Sequence, residues 1–316
     1  MDKSADDLIS KLLKNSKHEL KLGSSDNFNY SRIPFGLPAL DKLTGGGIPK
    51  KRLSLIYGPT NVGKSYLASQ IVANSQKEGG LAAWVDTELS WDAEWMAKCG
   101  VDTSKVIVFQ PSTGEEAFDV IKELMLASVD VIVLDSIAGL VPAAVADESF
   151  DYNPIAWQAR FVNSSLPKLL PNLKHGSAFV AINQVRSSMA PVALDAMPGG
   201  IGQTFFAHSM LQVRRKAWIK DEKNKEQNVG FDMEVRLRKS KIGGENWASA
   251  VVPFRVDGGI DIIESYIREA LAQGIIERSG AWYTYKDSKT MGLQGVKNIF
   301  AEDDKLFEGL KSELTT

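Results

Sequence analysis

Short apolar runs at residues 53–57, 81–85, 106–109, 131–134 and 179–182 recur along the middle of the chain, each followed by a longer stretch with helical spacing. The pattern predicts β-strands alternating with helices. Strands that are apolar on both sides belong to a parallel sheet covered on both faces, so the expected class is α/β. The period then changes. Phe231, Met233, Val235 and Leu237 alternate with Asp232, Glu234, Arg236 and Arg238, which predicts a half-exposed strand, and residues 250–256 are suited to pair with it. The sheet is therefore expected to finish antiparallel. Beyond Gly258-Gly259 come a helical stretch at 262–272, an aromatic β piece at 281–285 and an acidic helix near the end. At the other end Leu8, Ile9, Leu12 and Leu13 recur at helical spacing over residues 4–17, with Ser4 as N-cap and Asp6 and Asp7 in the first turn. Residues 23–30 are polar and read as a linker, leaving that helix free to pack on a neighbouring copy. The expected organisation is an N-terminal helix and linker (1–32) for oligomerisation, a large core (33–257) and a small α+β C-terminal domain (258–316).

Composition narrows the classes. The chain has 316 residues, 44% of them hydrophobic and 24% charged, enough for one large core with appendages. The lone cysteine, Cys99, excludes an internal disulfide and a cysteine-rich zinc site, and points to a reducing, cytoplasmic setting. The most apolar stretch, 131–146, is interrupted by Asp135, Ser136 and Pro142, and residues 1–17 are too charged for a signal peptide, so no membrane is expected. A net charge of -2 carries no signature of nucleic acid, and any such partner has to be argued from local chemistry.

The strongest local chemistry is Gly58-Pro59-Thr60-Asn61-Val62-Gly63-Lys64-Ser65, which fits the phosphate-loop pattern, follows an apolar strand and opens the helical stretch that begins at Tyr66. Its glycines let backbone N–H groups and a helix N-terminus face a β-phosphate. Lys64 neutralises phosphate oxygens, and the Ser65 hydroxyl suits Mg²⁺. Asp135 ends the strand at 131–134, where ligands of open α/β sheets bind, and is assigned to the same Mg²⁺. Glu88 follows the strand at 81–85 and is the candidate group for polarising an attacking water.

The ordered segments Ile56-Tyr57-Gly58-Pro59, Asp86-Thr87-Glu88, Gly100-Val101-Asp102, Asp135-Ser136, Ile182-Asn183-Gln184-Val185-Arg186, Gly199-Gly200, Arg214-Arg215 and Gly280-Ala281-Trp282-Tyr283 resemble the RecA family of recombinases from about residue 33 to 285. The resemblance implies a RecA-like nucleoside-triphosphatase core. It also implies ATP and Mg²⁺ as cofactors, a helical homo-oligomeric filament on single-stranded DNA, and pairing of that strand with homologous duplex, with single-strand-binding and mediator proteins as further partners. By the same resemblance Glu88 is the catalytic glutamate, Trp95 stacks on adenine, Gln184 senses the γ-phosphate, and Lys239 and Lys241 reach the ATP of the adjacent subunit. DNA-binding loops are implied near 147–156, with Ile155 as a wedge before the helix bearing Arg160, and near 186–202, with Arg186, Gly199 and Gly200. The chain departs from bacterial members in a second loop about two residues shorter, Pro167 at a usually basic position, a brief N-terminal region and no long acidic tail, trims that fit a phage-encoded relative. Two rival readings are a hexameric helicase or translocase of the same fold and a non-hydrolysing filament or mediator protein. The segment at 280–283 and Gly199-Gly200 argue against the first, and intact Lys64, Glu88 and Asp135 against the second.

Overall fold

The computed structural model describes residues 3–25, 29–146, 155–185, 197–221 and 224–314. Its contacts divide the chain into two units, 1–31 and 32–316. The first contains α1 (Lys3–Asn15), on which Leu8, Ile9, Leu12 and Leu13 form an exposed apolar stripe. Helical backbone already begins at Lys3, so Ser4 lies inside the first turn instead of capping it.

In the second unit β1 (Arg32–Ile33), α2 (Pro38–Thr44) and β2 (Ile48–Pro49) lead into β3 (Leu53–Gly58). Alternation then sets in: α3 (Lys64–Lys77), β4 (Ala82–Asp86), α4 (Ala93–Lys98), β5 (Val106–Phe109), α5 (Gly114–Leu126), β6 (Val131–Asp135), α6 (Ala143–Ala146), α7 (Ile155–Leu169), β7 (Ala178–Gln184) and α8 (Gly202–Phe206). Four strands follow, β8 (Ser209–Lys220), β9 (Asn228–Ser240), β10 (Ser249–Arg255) and β11 (Gly259–Ile260). The C-terminal part comprises α9 (Ile262–Ala272), β12 (Glu277–Ser279), β13 (Trp282–Tyr285), β14 (Ser288–Met291), α10 (Gly292–Glu302) and α11 (Asp304–Leu314).

Nine strands form one sheet in the order β11-β10-β9-β8-β3-β7-β6-β4-β5. From β8 to β5 all neighbours are parallel. The other three strands close the sheet antiparallel. This is the α/β architecture, a largely parallel sheet that finishes antiparallel, expected from the hydrophobic pattern. Strand alternation sends Val131 and Val133 into one core, with Ile56, Leu67 and Trp84, while Ile132 and Leu134 enter another, with Leu55, Val85 and Phe179. Burial on both faces is what made these strands read as unbroken apolar runs. The exception is β5, an edge strand on which Ile107 and Val108 are exposed, so coverage of both faces stops there. A third core, around Ile267, Tyr283, Tyr285 and Phe300, belongs to the C-terminal helices and the small antiparallel sheet β12-β13-β14. The chain segment after 285, expected as one acidic helix, contains β14 and two helices, because Asp303 leaves the helical conformation between α10 and α11.

Candidate nucleotide site

The apolar β3 ends at Gly58, the chain turns through Pro59, Thr60, Asn61 and Val62, and α3 begins at Lys64. Gly63 is the N-cap with φ 88, a left-handed conformation that a side chain would strain. Asn61, also left-handed at φ 55, is a residue type that tolerates it. These residues with Lys64, Ser65, Tyr66, Glu88, Asp135 and Gln184 line one cavity of about 260 Å³. Residues from four separate parts of the chain thus converge where the parallel strands end, as the topology requires.

Lys64 is buried, and its Nζ donates to the Pro59 carbonyl at 2.6 Å. Burial lowers its pKa, against the opposing pull of Asp135 and Glu88. Asp135 is pushed up to about 6, chiefly by burial, with Glu88 and Asp86 adding to the shift while the Ser65 hydroxyl and Lys64 oppose it. The carboxylate therefore stands in a site with negative charge to spare. A hydroxyl and a carboxylate, both hard oxygen donors, fit a Mg²⁺ ion that keeps waters and shares phosphate oxygens. Among the described residues no group of three or more His, Cys, Asp or Glu side chains is placed to hold a metal ion.

Glu88 is exposed at the mouth, and its Oε1 accepts from Ser136 Oγ at 2.5 Å and from Gln184 Nε2 at 2.7 Å. What holds Glu88 there is Asp86, a residue to which the sequence reading gave no role. Asp86 is fully buried and accepts from the backbone N–H groups of Glu88, Ser90 and Trp91 and from Gln110 Nε2. Its carboxylate thereby shapes the turn after β4. Thr87 joins that turn to the end of β6, donating through Oγ1 to the Ser136 carbonyl and accepting from the Ser136 N–H. The available signal was Asp86 itself, a carboxylate at the end of an otherwise apolar strand.

Trp95 does not line the cavity. Its indole meets Tyr66, which does, edge to face with ring centroids 5.3 Å apart. Lys239 and Lys241 do not line it either; Lys239 Nζ donates to the carbonyls of Thr204 and Phe205, and Lys241 Nζ to that of Phe205. Burial lowers the Lys239 pKa, and Lys241 reinforces the shift.

Of the expected DNA-contacting positions, Arg186 and most of both loops lie outside the described residues. Ile155 opens α7, and Arg160 on the same helix is exposed, with its guanidinium 5.7 Å from the Trp157 ring centroid. Gly199 is buried and Gly200 half-buried. The reason is close packing: a Cβ on Gly199 would come within 2.7 Å of Ile137, and one on Gly200 within 3.1 Å of Ala159.

The family described as "RecA N-terminal domain" matches residues 4–260. Over 301 residues, 93% of this chain and 86% of the relative, the sequence is 34% identical to Protein RecA of Acidothermus cellulolyticus. It is 33% identical to Protein RecA of Thermus aquaticus over 93% of this chain and 88% of that protein. To Protein RecA of Chlorobaculum tepidum it is 34% identical over 89% of this chain and 82% of the relative.

Proposed function

The chain belongs to the RecA family of DNA recombination proteins, and from that premise we propose that it is an ATP-dependent recombinase. It polymerises on single-stranded DNA, pairs that strand with homologous duplex, exchanges strands, and hydrolyses ATP in a DNA-dependent manner. The observation that carries the reading is the convergence of Lys64, Ser65, Asp135, Glu88 and Gln184 on one cavity at the ends of the parallel strands.

Bound with ATP, Mg²⁺ supplies charge neutralisation at the phosphate oxygens. The chain's own residues do the rest. Backbone N–H groups of the loop and the N-terminus of α3 orient the phosphates. Lys64 exchanges the Pro59 carbonyl for phosphate oxygens, and Ser65 and Asp135 hold the metal side. Glu88, exposed at the mouth and oriented by Ser136, takes the proton of the attacking water. Gln184, hydrogen-bonded to Glu88, is placed to bond the γ-phosphate and to report it to the loop that follows. Trp95 reaches the base from beside Tyr66. Lys239 and Lys241, which do not line their own chain's cavity, complete the site of the next subunit, and the exposed stripe of α1 packs on a neighbouring copy. A cytoplasmic location goes with this reading; no helix among the described residues is long and apolar enough to cross a membrane.

A strand-exchange assay with ATP, combined with electron microscopy, tests the proposal. Joint molecules and helical filaments are expected. Rings that unwind duplex would indicate the helicase reading, and filaments without hydrolysis the mediator reading.

A further inference from the structure

Two fully buried amide side chains, Asn183 and Gln203, are bonded to each other next to Gln184, which lines the nucleotide cavity. Asn183 Oδ1 accepts from the Gln184 N–H at 2.8 Å, and its Nδ2 donates to the Pro198 carbonyl at 2.9 Å and to Gln203 Oε1 at 2.8 Å. Gln203 Nε2 donates to the carbonyls of Pro198 at 2.6 Å and Gly200 at 2.9 Å. Gln203 also belongs to α8, the short helix whose Thr204 and Phe205 carbonyls hold the ammonium groups of Lys239 and Lys241. An unbroken set of hydrogen bonds and one rigid helical turn therefore connects Glu88 and Gln184 in the cavity to the two lysines outside it.

We propose that Gln203 is a positioning residue that couples successive nucleotide sites along the filament. The inference rests on the recombinase reading, in which Lys239 and Lys241 serve the neighbouring subunit. In this structure Gln184 Nε2 donates to Glu88. A γ-phosphate that competes for that amide shifts Gln184, and with it the N–H that Asn183 holds. Buried amides with every polar atom bonded do not slide independently, since leaving a buried partner unpaired costs its full desolvation penalty. The shift therefore moves Pro198, Gly200 and Gln203 together, and α8 carries it to the carbonyls that aim Lys239 and Lys241. ATP bound in one subunit sets the lysines that meet the ATP of the next. Ammonium groups that donate to the backbone carbonyls of Thr204 and Phe205 are easily transferred to a phosphate.

The test is Gln203→Met, which keeps length and volume but removes the hydrogen bonds. Asn183 Nδ2 retains the Pro198 carbonyl, so the end of the loop stays tied to β7. In the full-length protein on single-stranded DNA, the Hill coefficient for ATP in steady-state hydrolysis is expected to exceed 1 for wild type and to fall to about 1 in the variant. Affinity for a fluorescent ATP analogue without DNA, which reads a single site, stays at the wild-type value. An unchanged Hill coefficient overturns the proposal, as does a hyperbolic wild-type curve, or a loss of single-site affinity as large as the loss of cooperativity. Should Gln203→Met fail to fold, hydrogen exchange of wild-type filaments decides: the amides of 202–206 must differ between ADP and a slowly hydrolysed ATP analogue, and equal exchange overturns the coupling. Wild type that shows no DNA-dependent hydrolysis at all removes the recombinase reading instead, a separate result.

Discussion

Two charged clusters sit on the same nine-stranded sheet and are built in opposite ways. At the antiparallel end, Asp232, Arg255, Asp261, Glu264, Arg268 and Lys297 bind α9 and α10 to the sheet. Glu264, only 1% exposed, takes Arg255 Nη2 at 2.5 Å and Arg268 Nη2 at 2.6 Å, Arg268 Nη1 also reaches Asp232 at 2.7 Å, and Lys297 pairs with Asp261. Burial works against ionisation of Asp261, yet the Lys297 ammonium, the Glu264 N–H and Arg255 outweigh it and hold its pKa below the usual value. At the parallel end, Asp135 is raised to about 6 and the Lys64 ammonium rests on a backbone carbonyl. A cluster in which each acid meets a base holds parts of a molecule together, whereas one left with uncompensated charge is ready for phosphate and metal. The distinction predicts different consequences for single substitutions.

The largest effect is expected at Glu88. In Glu88→Gln the amide oxygen still accepts from Ser136 and Gln184, so nucleotide and DNA binding persist while the base is lost. Hydrolysis is expected to fall by about 10² to 10⁴ at unchanged stability, measured by phosphate release and by the urea midpoint. Wild-type turnover would break the assignment.

Glu264→Gln is the counterpart in the saturated cluster. It removes a buried negative charge between Arg255 and Arg268 and should cost about 3 kcal/mol, the low end for breaking a buried pair because both arginines remain partly open to water. Folded protein should hydrolyse ATP at the wild-type rate. A lowered urea midpoint with normal turnover sharpens the contrast, and a turnover defect at full stability erases it.

Next in size is Gln184→Ala. Nucleotide affinity should hold, because the phosphate loop is untouched, while the ratio of single-stranded DNA affinities between ATP-bound and ADP-bound protein shrinks by about five- to 150-fold. Fluorescence anisotropy at one fixed salt concentration reads this directly, salt alone being able to shift such affinities strongly. A wild-type ratio would make Gln184 a structural amide only.

How much of this was legible in the sequence follows the same divide. The phosphate loop is contiguous in the chain, and the parallel strands, buried on both faces, announce themselves as apolar runs. The pairing of Glu88 with Gln184, 96 residues apart, depends on strand order and left no local pattern. Strand β8 was not expected: its first part, Ser209 to Val213, is buried but mixes apolar residues with Ser209 and Gln212, and from Arg214 to Lys220 it is largely exposed and basic, with irregular register against β9. It is read as a strand only through its partner. The charge cluster around Glu264 gathers residues from β9, β10, α9 and α10, and in the sequence those residues look like ordinary solvated positions.

The smallest effect expected concerns pH, at a third group of charges that resembles the nucleotide site in lacking compensation. His208 precedes β8; burial, together with the nearby charges of Arg52, Lys241 and Lys239, lowers its pKa to about 4 against one hydrogen bond to the Phe206 backbone carbonyl. Its Nδ1 is buried without a hydrogen-bond partner. The unfolded chain takes up a proton near the ordinary histidine value of about 6.5, the folded chain only near the lowered one. Unfolded protein thus binds more protons in between, and the contribution of neutral His208 to stability, complete above the ordinary value, is lost as pH falls from about 6.5 toward about 4. The imidazole is partly open to water, and screening keeps the effect below those of the buried clusters. His208→Gln cannot titrate, so the difference between the two urea midpoints should shift against wild type when pH is lowered from about 7 to about 5. Subtracting the curves cancels Asp41 and Asp135, both raised to about 6, which titrate in both proteins. Parallel curves would mean that His208 takes up its proton as readily folded as unfolded, and that the cations around it are compensated after all.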